Sequence, residues 1–167
     1  MMRALGASDC ERLTDGVLAQ PVNAVTGLAL VVAGGWLISR GLRAPRDRVP
    51  PIVFGASVAA AGVGSVLYHG PQPAHANAVH DLSIIAVISQ VVGYEVWYRR
   101  TGRASEAGGL RVALAFLALG GAAFVLGRTS SPLCDPDSPA QLHGAWHLLV
   151  AVSLAAYGRA RLERTPA

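Results

Sequence analysis

Lysine is absent from this chain, and charge of either sign is scarce: the fourteen basic residues are all arginine, ten residues are Asp or Glu, and charged residues make up 14% of 167. So small a share beside 52% hydrophobic residues is unusual for a soluble domain and points to a membrane protein. A net charge of +4 would suit nucleic acid only if it gathered on one folded face. The arginines instead fall in short clusters between apolar segments, so nucleic acid is not expected as a partner. The first sixteen residues also lack an apolar core, holding Arg3, Asp9, Glu11, Arg12 and Asp15. No cleavable signal peptide is expected from these residues, and the first apolar helix is expected to act as its own insertion signal. Cysteine is nearly absent, with two residues that allow one intramolecular pairing.

What is present is apolar sequence in five stretches of about 20 residues, the length a spanning helix needs. They cover residues 17–39, 51–68, 78–97, 110–127 and 139–157, and predict an all-α integral membrane fold, a five-helix bundle forming one domain over residues 1–167. Gly and Ala abound in them, as expected where helices pack closely in lipid. Arg40, Arg43, Arg46 and Arg48 lie between the first two segments. Arg99, Arg100, Arg103 and Arg111 lie between the third and fourth, and Arg159, Arg161 and Arg164 follow the fifth. Cytoplasmic loops carry the excess of basic residues, so these belong inside, with the N-terminus outside and the C-terminus cytoplasmic. Only Arg3, Arg12 and Arg128 fall on the other side. Cys10 and Cys134 share that outer, oxidising side, where a disulfide between them is expected over the alternative of two free thiols. The expected location is a bacterial inner membrane.

The same topology sorts the polar residues. His69, His75, His80, His143 and His147 all fall at or near the outer ends of segments two, three and five. Ser65 and Asp81 share that level, within a slab on the order of 10 Å deep at 1.5 Å per residue. Ser57, Ala61, Ser65 and His69 recur every fourth residue, a small, weakly polar stripe that should face other helices. His143 and His147 stand at i and i+4, on one face of a helix. With His69 they make three imidazoles, the number that leaves a tetrahedral zinc one open position for water. Asp81 is then the candidate acid/base and Ser65 the candidate donor to a developing oxyanion. His75 and His80 read as solvated loop and boundary residues. Glu95 is expected to pair with Arg99 at i+4, and Trp36, Trp97 and Tyr98 suit the inner aromatic belt.

Other chemistries use the same residues. A zinc completed by Asp81 or another protein ligand would be a closed structural site in a sensor or structural membrane protein. Ser65, His69 and Asp81 are the residue types of a serine hydrolase. Opposed histidines in a helical bundle also suit haem.

Four pieces in order, DCER with QPVNAVTG within residues 9–27, GSVLYH at 64–69, Asp81, and HGAWH at 143–147, resemble the CREST superfamily of membrane hydrolases, which includes the alkaline ceramidases. The resemblance implies Zn²⁺ on His69, His143 and His147, catalytic roles for Ser65 and Asp81, and hydrolysis of an amide in a membrane lipid such as ceramide, near the non-cytoplasmic face. It also implies a calcium site in the N-terminal segment, with Glu11 and Asn23 matching and Asp9 and Asp15 as further ligands. Gln20 replaces an acidic residue there, which removes a charge from a site built on hard oxygen ligands. The ordinary reading of that segment is a polar cap on the first helix. Family members usually have seven helices, against five here.

Overall fold

The computed structural model describes residues 5–102 and 107–162; Arg3, Arg103 and Arg164 lie outside the described residues. Five helices follow one another: α1 Pro21–Arg43, α2 Val49–His69, α3 Ala76–Thr101, α4 Ala107–Leu126 and α5 Leu142–Leu162. The chain is all-helical, as expected, but two helices start later than the apolar segments did. Residues 17–19 are apolar enough to extend α1, yet Pro21 has no N–H to give and a φ suited to a first helical position. The preceding backbone is used elsewhere: Ala19 N donates to Gly70 O at 3.0 Å and Gln20 N to His69 O at 2.7 Å. Before α5, the Gln141 side chain donates to the carbonyls of Asp135 and Ser138, holding residues 139–141 in the loop. At the other extreme α3 runs on to Thr101 and stops at Gly102, whose φ of 62° is a left-handed cap that glycine takes at no steric cost.

The helices form an arc in the order α3, α2, α1, α5, α4, with a smaller contact between α2 and α5. Small residues let α1 and α2 approach closely. A Cβ on Gly34 would strike the Ala59 backbone and the Gly55 carbonyl, and one on Gly55 would lie 2.7 Å from Gly34 O. The apolar core runs through Leu30, Leu37, Phe54, Val58, Val87 and Tyr157. Outside it, Leu82, Ile85, Ile88 and Val92 of α3 and Leu114, Leu119 and Val125 of α4 are exposed. Four helices, α1 to α4, are long and apolar enough to cross a membrane. The chain is therefore membrane-compatible, and its exposed apolar faces suit lipid far better than water.

Two ends of the bundle differ. At the end with the arginines, Arg161 of α5 donates two bonds to the Glu95 carboxylate of α3, at 2.8 and 2.7 Å. This corrects the expected Glu95–Arg99 pair: a planar guanidinium that meets a carboxylate as a fork makes two charge-assisted bonds, more than an i,i+4 contact along one helix provides. Arg161 also lies 4.9 Å above the Tyr98 ring, and Arg40 5.6 Å above Trp36, so the aromatic residues do gather at this end. At the opposite end, residues 5–20 fold as a hook over the mouths of the helices. A disulfide joins Cys10 to Cys134 in the α4–α5 loop, 124 residues away. Cys10 N donates to Gly127 O, Thr129 N to Ser8 O and Arg12 N to Pro136 O. Arg12 and Asp137 form an exposed forked ion pair, and Arg12 holds the Asp137 carboxyl below the usual carboxylate range.

Candidate metal centre

Three helix ends meet under the hook. His69 is the last residue of α2, and His143 and His147 occupy the first two turns of α5. Among the described residues these three form the group of metal-ligating side chains whose ligand atoms all lie within 4.8 Å of one another. All three are buried, His69 completely. Close backbone approach makes this packing: a Cβ on Gly144 would meet the Thr26 side chain of α1 at 3.1 Å, and one on Gly127 would meet the backbone N of His143 at 2.6 Å.

The second ring nitrogen of each histidine faces oxygen. His69 Nδ1 lies 2.7 Å from Gln20 Oε1. Gln20 Nε2 donates to the carbonyls of Gly6 at 3.1 Å and Glu11 at 2.8 Å, so the amide cannot be turned round without setting oxygen against two carbonyls. His69 must then donate from Nδ1, which leaves the lone pair on Nε2. That atom is buried and has no hydrogen-bond partner. His147 follows the same logic. Its Nδ1 is 3.1 Å from Thr26 Oγ1, and the single Thr26 hydroxyl proton goes to a backbone carbonyl of Val22 or Asn23. With that proton on a carbonyl, Thr26 accepts from Nδ1 and the lone pair of His147 lies on Nε2, to which Ser65 Oγ donates at 3.0 Å. His143 Nδ1 stands 3.2 Å from Asp9 Oδ1, poorly aligned for a hydrogen bond but beside a carboxylate that favours a proton there. Arg128 donates to the same Asp9 oxygen at 2.8 Å. Burial pushes the Asp9 carboxyl up to about 6, against the opposing pull of Arg128 and His80.

The expected residues are not all brought together. Ser65 belongs to the cluster, and the stripe that carries it faces inward: Ala61, Ser65 and His69 are buried, while Ser57 accepts a bond from Gln90 of α3 at 2.6 Å. Asp81 is outside it. Its carboxylate is 55% exposed and accepts from His80 Nδ1 at 2.8 Å. His80, expected in solvent, is half-buried and stacks on Tyr68 with ring centroids 4.5 Å apart, while His75 is exposed as expected. The reason is backbone proximity, since a Cβ on Gly64 of α2 would sit 2.8 Å from His80 Cα. Only the adjacent His-Asp pair hinted at this in the sequence.

The calcium candidates are dispersed in use. The Glu11 carboxylate accepts from Val22 N at 2.7 Å and Asn23 N at 2.8 Å, two of the free donors that begin α1. Asp9 is held by Arg128, and Asp15 is exposed. The Asn23 side chain is buried with neither of its polar atoms partnered. The polar cap on the first helix is what this segment forms.

No family model, curated protein or solved structure matches the chain.

Proposed function

We propose that the chain is an integral membrane, zinc-dependent hydrolase that cleaves an amide bond in a lipid, ceramide being the example its CREST-like motifs suggest. The carrying observation is the buried trio His69, His143 and His147, with His69 Nε2 uncommitted and each Nδ1 facing an oxygen. Buried polar atoms without partners are rare in native proteins, and a neutral imidazole with its second nitrogen held by oxygen is the usual form of a histidine metal ligand. All-nitrogen donors suit zinc better than calcium, which wants oxygen. Bound there, zinc would supply a water that ionises near neutral pH, at about 7, and a Lewis acid for a carbonyl oxygen.

The chain's own residues supply the rest. Ser65, one turn before His69, would turn its hydroxyl from His147 to the substrate carbonyl oxygen. Asp81, beside His80 and open to solvent, would take up and return the proton. Lipid as substrate is supported by the open side of the arc, since α3 and α4 do not pack on each other among the described residues. An acyl chain would approach from the bilayer on that side.

The arrangement in the membrane belongs to the same proposal. At 1.5 Å per residue the 21 residues of α5 are long enough to make a fifth crossing beside α1 and α4. The disulfide end would face an oxidising, non-cytoplasmic compartment and the arginine end the cytoplasm of a bacterial inner membrane. Calcium has less support, because Glu11 is already used by the start of α1.

A non-catalytic sensor or structural zinc protein is the second reading, favoured by the exposure of Asp81 away from the trio. Metal content and fatty-acid release from a labelled ceramide, measured on the same detergent-purified samples, separate the two. The expected result is about one zinc per chain with hydrolysis, and loss of both in His143→Ala. Zinc without hydrolysis favours the second reading; hydrolysis without metal refutes both.

A further inference from the structure

The hook contributes more than a cover, and its contribution converges on one residue. Gln20 is fully buried and uses its amide in both directions. Its Nε2 is held by the carbonyls of Gly6 and Glu11, both in the hook, and its Oε1 accepts from His69 Nδ1. The backbone on either side is docked on the same helix end, by Gln20 N to His69 O and Ala19 N to Gly70 O. Gly6 makes the room: its φ is +74°, and a Cβ there would land on the Gln20 amide oxygen.

We infer that Gln20 is a positioning residue of the metal centre, which locks the His69 ring in the tautomer that offers Nε2 and carries the fold of the hook to the metal. The inference rests on reading the three imidazoles as a metal site. A free imidazole exchanges its proton between two nitrogens and turns about its χ2, and only one combination presents Nε2 to His143 and His147. An acceptor fixed by two bonds of its own removes the alternatives before metal arrives. The uncharged amide does this without adding a third buried carboxylate beside Asp9 and Glu11.

Gln20→Leu and Gln20→Glu both abolish the donation to Gly6 and Glu11, but only Gln20→Leu removes the acceptor for His69. Co²⁺ affinity, measured by competition with a chelator and by the visible bands of the bound ion, is therefore expected to fall about 10- to 100-fold in Gln20→Leu. In Gln20→Glu it stays close to the unaltered protein. Equal losses in both would make Gln20 a support of the hook alone and overturn the inference, as would an unchanged affinity in Gln20→Leu. Should Gln20→Leu fail to fold, ¹⁵N-histidine spectra of the unaltered zinc-loaded protein decide: a proton on Nδ1 of His69 is expected, and metal on Nδ1 overturns it. A protein that behaves as expected yet cleaves no lipid amide keeps this role for Gln20 and loses only the hydrolase. Failure of the unaltered protein to bind Co²⁺ at all removes both.

Discussion

The histidine end of the bundle buries far more polar side chains than the arginine end, and the two ends use their polar groups differently. At the arginine end, Glu95 and Arg161 satisfy each other through two bonds, and Tyr157 reaches the carbonyl of Val91 at 3.4 Å. Every one of those groups has a partner within the fold. At the histidine end, the outward nitrogens of His69 and His147 are held by Gln20 and Thr26 and that of His143 faces Asp9, while the inward ones converge and His69 Nε2 has nothing to bind. A satisfied, partly buried pair explains itself as structure; convergent lone pairs do not. The contrast teaches that the presence of buried polar residues says little about function, and that the direction of their unused valences says a great deal.

The contrast can be broken by mutation. If the chain is the proposed zinc hydrolase, His69→Ala should have the largest effect, reducing bound metal from about one per chain to none and hydrolysis by at least about 10³-fold, measured as metal content and initial rate on the same preparation. An active His69→Ala enzyme would erase the distinction between the ends. Cys134→Ser comes next. The bridge closes a long loop and holds the hook, so its loss should cost about 2–5 kcal/mol in denaturation, with weaker metal retention at the histidine end. Arg161→Ala should be smaller and of the opposite kind. It strands a partly buried Glu95 carboxylate, which costs about 1–3 kcal/mol in stability, while hydrolysis and metal content stay near those of the unaltered protein. A loss of metal in Arg161→Ala would mean that the two ends are coupled and that the comparison is too simple.

Much of the site was legible because helical periodicity and topology act on one-dimensional patterns. His143 and His147 at i,i+4 had to share a face, and His69 had to lie at their level if segments two and five run in opposite directions. The Cys10–Cys134 bridge, expected over two free thiols, formed for the same reason: both ends of it lie on one side of the bundle. Glu95 shows where such reasoning fails. The i+4 rule weighs neighbours along one helix and is blind to Arg161, sixty-six residues away and close only because α5 returns past α3. His80 and Asp81 show the same limit, since being level in the bundle does not decide which way a side chain points.

The sequence by itself determined the apolar segments, the side on which the polar residues gather, and the three imidazoles that could share a metal, because these follow from length, period and charge along the chain. Only the tertiary structure decided what each nitrogen does. That depended on Gln20, Thr26 and Asp9, whose residue types carry no metal signature and whose roles arise from distances across the fold. A hydrogen-bond direction is set by which donors and acceptors meet in space, and no spacing along the chain records it.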